Sequence, residues 1–123
     1  MPSHLESGEK KDRYHNLIER IVTVNHAWKL SREEFGQDFP ATKSFRGVKS
    51  SLQADLIREF PEDCYLVIDP GTQHTEDPLY SVRLQRTVVI NNAQKSDAEH
   101  LPCRIAEQLL TPEEIENAVN RGR

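Results

Sequence analysis

The spacing of apolar residues changes period in the middle of this chain, and that change excludes most folds. As far as Phe60 the apolar positions recur every three or four residues, whereas from Cys64 to Ile105 they run together or alternate. Tyr14, Leu17, Ile18, Ile21, Val24 and Trp28 form one stripe of an amphipathic helix, predicted over about residues 10–30. Ser31-Arg-Glu-Glu34 reads as a capping box, which would restart a short helix ended by Gly36 or Pro40. Val48, Leu52, Leu56 and Phe60 recur every four residues, so a second helix is expected over about 46–60, stopped by Pro61.

Beyond Pro61 the pattern is that of strands. Cys64-Tyr-Leu-Val-Ile68 is a short continuous apolar run, expected as a strand over 64–69 with both faces covered. Pro70-Gly71 makes a turn and Thr72–Pro78 a polar loop. Tyr80, Val82 and Leu84 alternate with Ser81 and Arg83, a strand over 79–90 with one wet face. The apolar parity slips across Gln85-Arg86, where no Gly or Asn offers a tight turn, so a bulge is expected. Residues Asn91 to Glu99 read as a loop. Leu101, Cys103 and Ile105 alternate with Pro102, Arg104 and Ala106, a third strand over 101–106 that Pro102 places at an edge. Thr111-Pro-Glu-Glu114 is a capping box with Pro at the first helical position, opening a helix over 112–120.

The expected fold class is therefore α+β: N-terminal helices, a three-stranded antiparallel meander and a short C-terminal helix. The alternative is a partly open barrel with a helical N-terminal extension, because the segments Pro78–Leu84 and Leu101–Ile105 resemble the last strands of small SH3-like barrels. At 123 residues the chain fits one domain, read as a flexible N-terminus over 1–8 and a single α+β domain over 9–123. A hydrophobic content of 36% with 29% charged residues implies a small, well-hydrated core. The opening residues lack the apolar stretch of a signal peptide, no segment approaches the ~20 apolar residues of a membrane span, and two cysteines are too few for a disulfide framework. A cytoplasmic, soluble protein without a membrane partner is the expectation.

Chemistry-bearing motifs are sparse. Cys64, His74, His100 and Cys103 supply four nitrogen and sulfur ligands, but only His100–Cys103 has a close spacing, and zinc favours two close pairs. Two buried thiols and two solvated histidines account for them without a metal. A thiolate at Cys64 or Cys103 with His74 or His100 as base and Asp69 as orienter would form a nucleophilic triad. Neither cysteine has a helix N-terminus or Gly-rich elbow beside it to lower its pKa. The paired carboxylates at 33–34, 62–63, 76–77 and 113–114 sit in first turns of helices or beside turns, where solvated acids are ordinary. Five dispersed glycines exclude a phosphate-cradling loop or dinucleotide fingerprint, so no cofactor is expected.

What remains is a charge step. From Phe39 to Ala54 there is no acid but three bases, Lys43, Arg46 and Lys49, with Phe45 and Gly47 between them; Asp55 to Asp77 then holds seven acids against Arg58. Fields of this kind bias partner choice and encounter rate. Lys43, Phe45, Arg46 and Lys49 are the candidate partner-binding residues, all three bases expected to be exposed, with Trp28 as a second interface candidate. The expectation is a small non-enzymatic interaction protein, of regulatory, accessory or immunity type, binding an acidic protein at the 43–49 side, a basic one at the acidic side, or both. The alternatives are a Cys/His metal or thiol enzyme, and a nucleic-acid binder using the basic segment 43–51. A net charge of -4 weighs against the last, because non-specific grip on nucleic acid needs a broad basic surface.

Overall fold

The apolar stripe of the first forty residues does form a helix. In the computed structural model, which describes residues 11–123 in full and the backbone alone for 2–10, α1 runs Pro2–Phe35 and α2 Pro40–Glu59. The expectation of a flexible segment over 1–8 lies outside the residues described in full. The two helices form an antiparallel hairpin: Arg13 donates to both Glu59 carboxylate oxygens at 2.6 and 2.7 Å near its base, and Ser31 meets Thr42 at its top. Ser31 therefore caps nothing. It is buried within the last turns of a continuous helix, and the restart expected there does not occur. Gly36 ends α1 with φ of 92°, a left-handed position that glycine adopts without a Cβ clash, and its N–H returns to Arg32 O at 2.9 Å. Pro40 opens α2 instead of closing α1, since a first-turn position has no use for the missing N–H.

Three antiparallel strands follow in the order β1 (Cys64–Ile68), β2 (Leu79–Ile90), β3 (Ala93–Pro102). The sheet is an open meander, so the fold is α+β and the barrel alternative is set aside. The register of β2 against β3 shifts between Arg83 and Val88, the bulge expected at Gln85-Arg86. There Gln85 N and Arg86 N both donate to Asp63 O, and the Tyr14 hydroxyl donates to Arg86 O, so α1 holds the irregular strand in place.

Two strand expectations fail for local reasons. The segment Asn91–Glu99 is not a loop, because Asn91 and Asn92 both take positive φ (52° and 66°) and make a two-residue hairpin turn. That turn brings Ala93–Pro102 into register beside β2. The strand then ends at Pro102, and Cys103–Leu109 is a helix, α3, not the second half of a strand. Ile105 and Leu109, like Ala106 and Leu110, are four apart and turn toward the core once the segment is helical. The last helix, α4 (Pro112–Arg121), begins with the expected capping box: Glu114 N donates to Thr111 Oγ1 and Thr111 N to Glu114 Oε1. Arg58 of α2 adds bonds to Glu114 and to Leu109 O. These hold the Glu114 carboxyl at about 2, the Arg58 contact weighing most and the Thr111 N–H next.

The core lies between the helical hairpin and one face of the sheet. Tyr14, Leu17, Ile18 and Ile21 of α1 meet Leu52, Leu56, Ile57 and Phe60 of α2 over Leu66, Val82, Leu84 and Leu101. The strand β1 is not covered on both faces: Cys64 and Leu66 are buried, while Val67 is exposed. Above Ile21 the hairpin interior changes character. Among the described residues, all six buried polar or charged side chains (Asn25, Ser31, Thr42, Lys49, Ser50, Gln53) belong to α1 and α2. Gln53, fully buried, donates through Nε2 to the carbonyls of Ala98 and His100, satisfying backbone groups of β3 that no strand pairs. Val48, expected in the apolar stripe, is 47% exposed because this polar layer takes its place inside.

Candidate functional site

The three bases of α2 are spaced three residues apart, and an α-helix turns about 300° over that interval. Each successive base is thus set back by about 60°, so the row spirals across the helix instead of lying along one face. Lys43 is exposed, Arg46 half-buried, and Lys49 turns inward to 3% exposure. The expectation that all three face solvent is corrected by this geometry. Lys49 Nζ donates to Asn25 Oδ1 at 3.2 Å and lies 4.3 Å from the centre of the Trp28 ring. Arg32, one turn beyond Trp28 on α1, puts its guanidinium 4.4 Å from the same ring. Trp28 thus serves as a platform for two cations. Its position at the polar level of α1 explains why it is half-buried and not in the core.

Around this ring lie two adjoining hollows, of about 210 and 500 Å3. They share Trp28, Arg32, Arg46 and Leu79 and form one cleft between the upper hairpin and the end of β3. The inner hollow is closed by Lys29, Lys49, Glu99 and His100, the outer one by Lys43, Asp38, Asp77 and Arg104. Burial lowers the Lys49 ammonium to about 8; Glu99 acts in the opposite direction, and Arg46, Lys29 and Arg32 lower it further. No carboxylate among the described residues forms an ion pair with Lys49. Glu99, the acid of the inner hollow, is held by Lys95 at 2.9 Å. In the outer hollow Asp77 lies between Arg46 (3.4 Å) and Arg104 (3.1 Å). Phe45, on α2 between Lys43 and Arg46, is half-buried and lines neither hollow.

Four of the seven acids in the acidic half of the charge step lie beside cations or a histidine of this chain. Glu59 pairs with Arg13, Asp63 with Arg86, Asp77 with Arg46 and Arg104, and Asp69 lies 3.5 Å from His100. Folding gives those four acids partners within the chain, while the cleft around Trp28 gathers six cations. Arg104, Arg32 and Lys29 belong to it although they lie outside the 43–49 segment. The signal for Lys29 and Arg32 was their position one residue and one turn after Trp28; nothing in sequence pointed to Arg104.

The cysteine and histidine candidates are not gathered. Among the described residues no group of three or more His, Cys, Asp or Glu side chains converges as a metal ion would need. Cys64 is buried, its thiol directed at Phe60 O (3.3 Å) and pushed up to about 12 by burial, with Asp63 acting in the same direction. Cys103, contrary to expectation, does stand at a helix N-terminus, as the first residue of α3; it is half-buried and its thiol is nonetheless raised, by burial and then by Glu107. Raised thiols are the opposite of activated nucleophiles. His74 is exposed in the loop before β2, and His100 is exposed beside Asp69. The geometry therefore concentrates on the cleft around Trp28. No family model matches this chain, and neither the curated proteins nor the solved structures contain a detectable relative.

Proposed function

We propose that this chain is a non-enzymatic interaction protein that binds an acidic protein partner at the cleft between α1, α2 and the end of β3. The observation that carries the reading is Lys49, a buried cation with no carboxylate partner among the described residues, at the floor of a cleft bordered by Lys29, Arg32, Lys43, Arg46 and Arg104. A buried charge is stabilised by an opposite charge and penalised without one, so the cleft is electrostatically incomplete in the isolated chain. Its rim cations would speed encounter with an acidic surface, and the half-buried Arg46 would supply a directed pair on contact. Nucleic acid is the weaker reading, because Trp28 is already engaged by two cations and offers no ready base-stacking face.

The test is capture from a native lysate on the immobilised chain, in wild-type and Lys43→Glu/Arg46→Glu forms, with and without nuclease. A protein retained by the wild type, lost with the double reversal, released by salt and indifferent to nuclease supports the reading. Identical retention by both forms overturns it, as does retention that nuclease abolishes. The double variant should lose little thermal stability, since Lys43 is exposed and a solvent-accessible ion pair such as Arg46–Asp77, long at 3.4 Å, contributes ~0–1 kcal/mol.

A further inference from the structure

The inner hollow differs from the rest of the cleft in size and in balance of charge. At about 210 Å3 it is smaller than the ~300–1,000 Å3 pockets that enclose drug-sized molecules. Four fixed cations face it, Lys29 and Arg32 from α1 and Arg46 and Lys49 from α2, with His100 of β3 beside them. Against these stands Glu99, already paired with Lys95, while Arg46 is in addition 3.4 Å from Asp77 in the neighbouring hollow. Lys49 Nζ has three donors, of which one is used by Asn25; the Lys49 side chain lines the hollow from its buried end. With Glu99 offset by Lys95 and Arg46 by Asp77, three cations remain, so a compact dianion would neutralise more of that positive charge than a monoanion. A small group with three or more acceptor oxygens also suits convergent ammonium and guanidinium donors.

We propose that the hollow between Lys49, Arg32, Arg46 and His100 is a binding subsite for a phosphoryl dianion, taken either as free phosphate or as the phosphorylated side chain of the acidic partner. The inference rests on reading the cleft as an anion-binding face and specifies the chemistry of its deepest point. Lys49 would hold the group from below and give it a first ion pair in a desolvated setting. The two arginines would fix its orientation by directed N–H donors. The outer hollow would receive whatever the phosphoryl group is attached to.

Trp28 is the sole tryptophan of the chain and stands in the wall shared by both hollows, so its fluorescence reports on the cleft, and the Lys49 variant assigns a response to the inner hollow. The experiment titrates the purified full chain with inorganic phosphate, with a phosphoserine tripeptide and with acetate, at pH 7 and constant ionic strength set by chloride. Phosphate and the phosphopeptide should each give a saturable change in Trp28 emission, with acetate at least tenfold weaker. A tighter phosphopeptide points to the side-chain source, and a tighter phosphate to the free ion. Lys49→Met should weaken phosphate binding at least tenfold; Arg46→Gln, at a half-buried position whose replacement leaves the core intact, should weaken it several-fold. Equal responses to phosphate and chloride overturn the proposal, as does unchanged phosphate affinity in folded Lys49→Met or Arg46→Gln protein. The two readings fail separately. Lost phosphate binding with charge-dependent partner capture retained removes only the subsite. Lys49-dependent phosphate binding with capture indifferent to charge reversal removes only the partner.

Discussion

Lys49 is where the chemistry of a single side chain bears most on the whole molecule. Its ammonium falls from the ordinary 10.5 to about 8 on folding, chiefly through burial. Below pH 8 both folded and unfolded chains carry the proton, and the folded state bears the full penalty of the buried charge. Between about pH 8 and 10.5 the unfolded chain holds the proton and the folded chain has released it, so stability rises with pH. Each tenfold loss of proton affinity is worth ~1.4 kcal/mol, which makes the neutral-pH penalty roughly 3 kcal/mol. Lys49→Met, which keeps the stem and removes the charge, should therefore stabilise the ligand-free protein by about 1–3 kcal/mol at pH 7. The gain should shrink above pH 8 and vanish near pH 11, as chemical denaturation across that range would report. A variant less stable than wild type at pH 7 would mean the ammonium is already compensated.

At the scale of elements, the docking of α4 depends on a missing side chain. Gly122 follows α4 with an ordinary φ of −82°, so its backbone does not require glycine. Space does: a Cβ there would lie 2.9 Å from Tyr65 Cδ2 and 3.0 Å from Leu66 O. Gly122→Val should destabilise the fold by ~1–3 kcal/mol, with faster amide exchange across β1 and α4 and little change in the α1–α2 hairpin. Elements were also what the sequence displayed best. Period and caps placed β1, β2, α4 and the end of α2, though not the start of α2 at Pro40, and a parity slip located the bulge in β2. What escaped was whatever depended on a neighbour. Asn91-Asn92 lacks the glycine of the familiar hairpin turn, yet asparagine enters the left-handed region more easily than most residues, and two in succession were enough. In residues 101–110 the alternation of Leu101, Cys103 and Ile105 competed with the helical spacing of Ile105, Ala106, Leu109 and Leu110. Pro102 ended the strand and the helix prevailed. Ser31 satisfied every local rule for a cap, but it faces Thr42 across the hairpin, a contact no local rule contains.

Across the whole molecule, the charge step located the basic side of the site and misjudged its depth. Counting charges along the chain shows where bases are dense, but only the crossing of α1 over α2 decides that Lys49 is inside and that Arg32 joins it at Trp28. The acids of 55–77 looked like a second surface because sequence cannot display Arg13, Arg86 and Arg104 waiting for them. The interior thus has two tiers: an apolar tier where the lower hairpin lies on the sheet, and a polar tier holding Asn25, Ser31, Thr42 and Lys49 above it.

That division has a kinetic consequence. Collapse is driven by the apolar tier, so the transition state for folding should form there, with the lower hairpin and the sheet gathered while the upper hairpin remains loose. Contacts made after the barrier influence escape from the native state more than arrival at it. An anion in the cleft should therefore leave the refolding rate almost unchanged and slow unfolding by nearly the whole factor by which it stabilises the protein. Stopped-flow folding with and without phosphate would read both limbs, and faster refolding would place the cleft in the nucleus. For a chain of modest core, the occupant of the cleft would then govern how long each molecule stays folded, and hardly at all how quickly it becomes so.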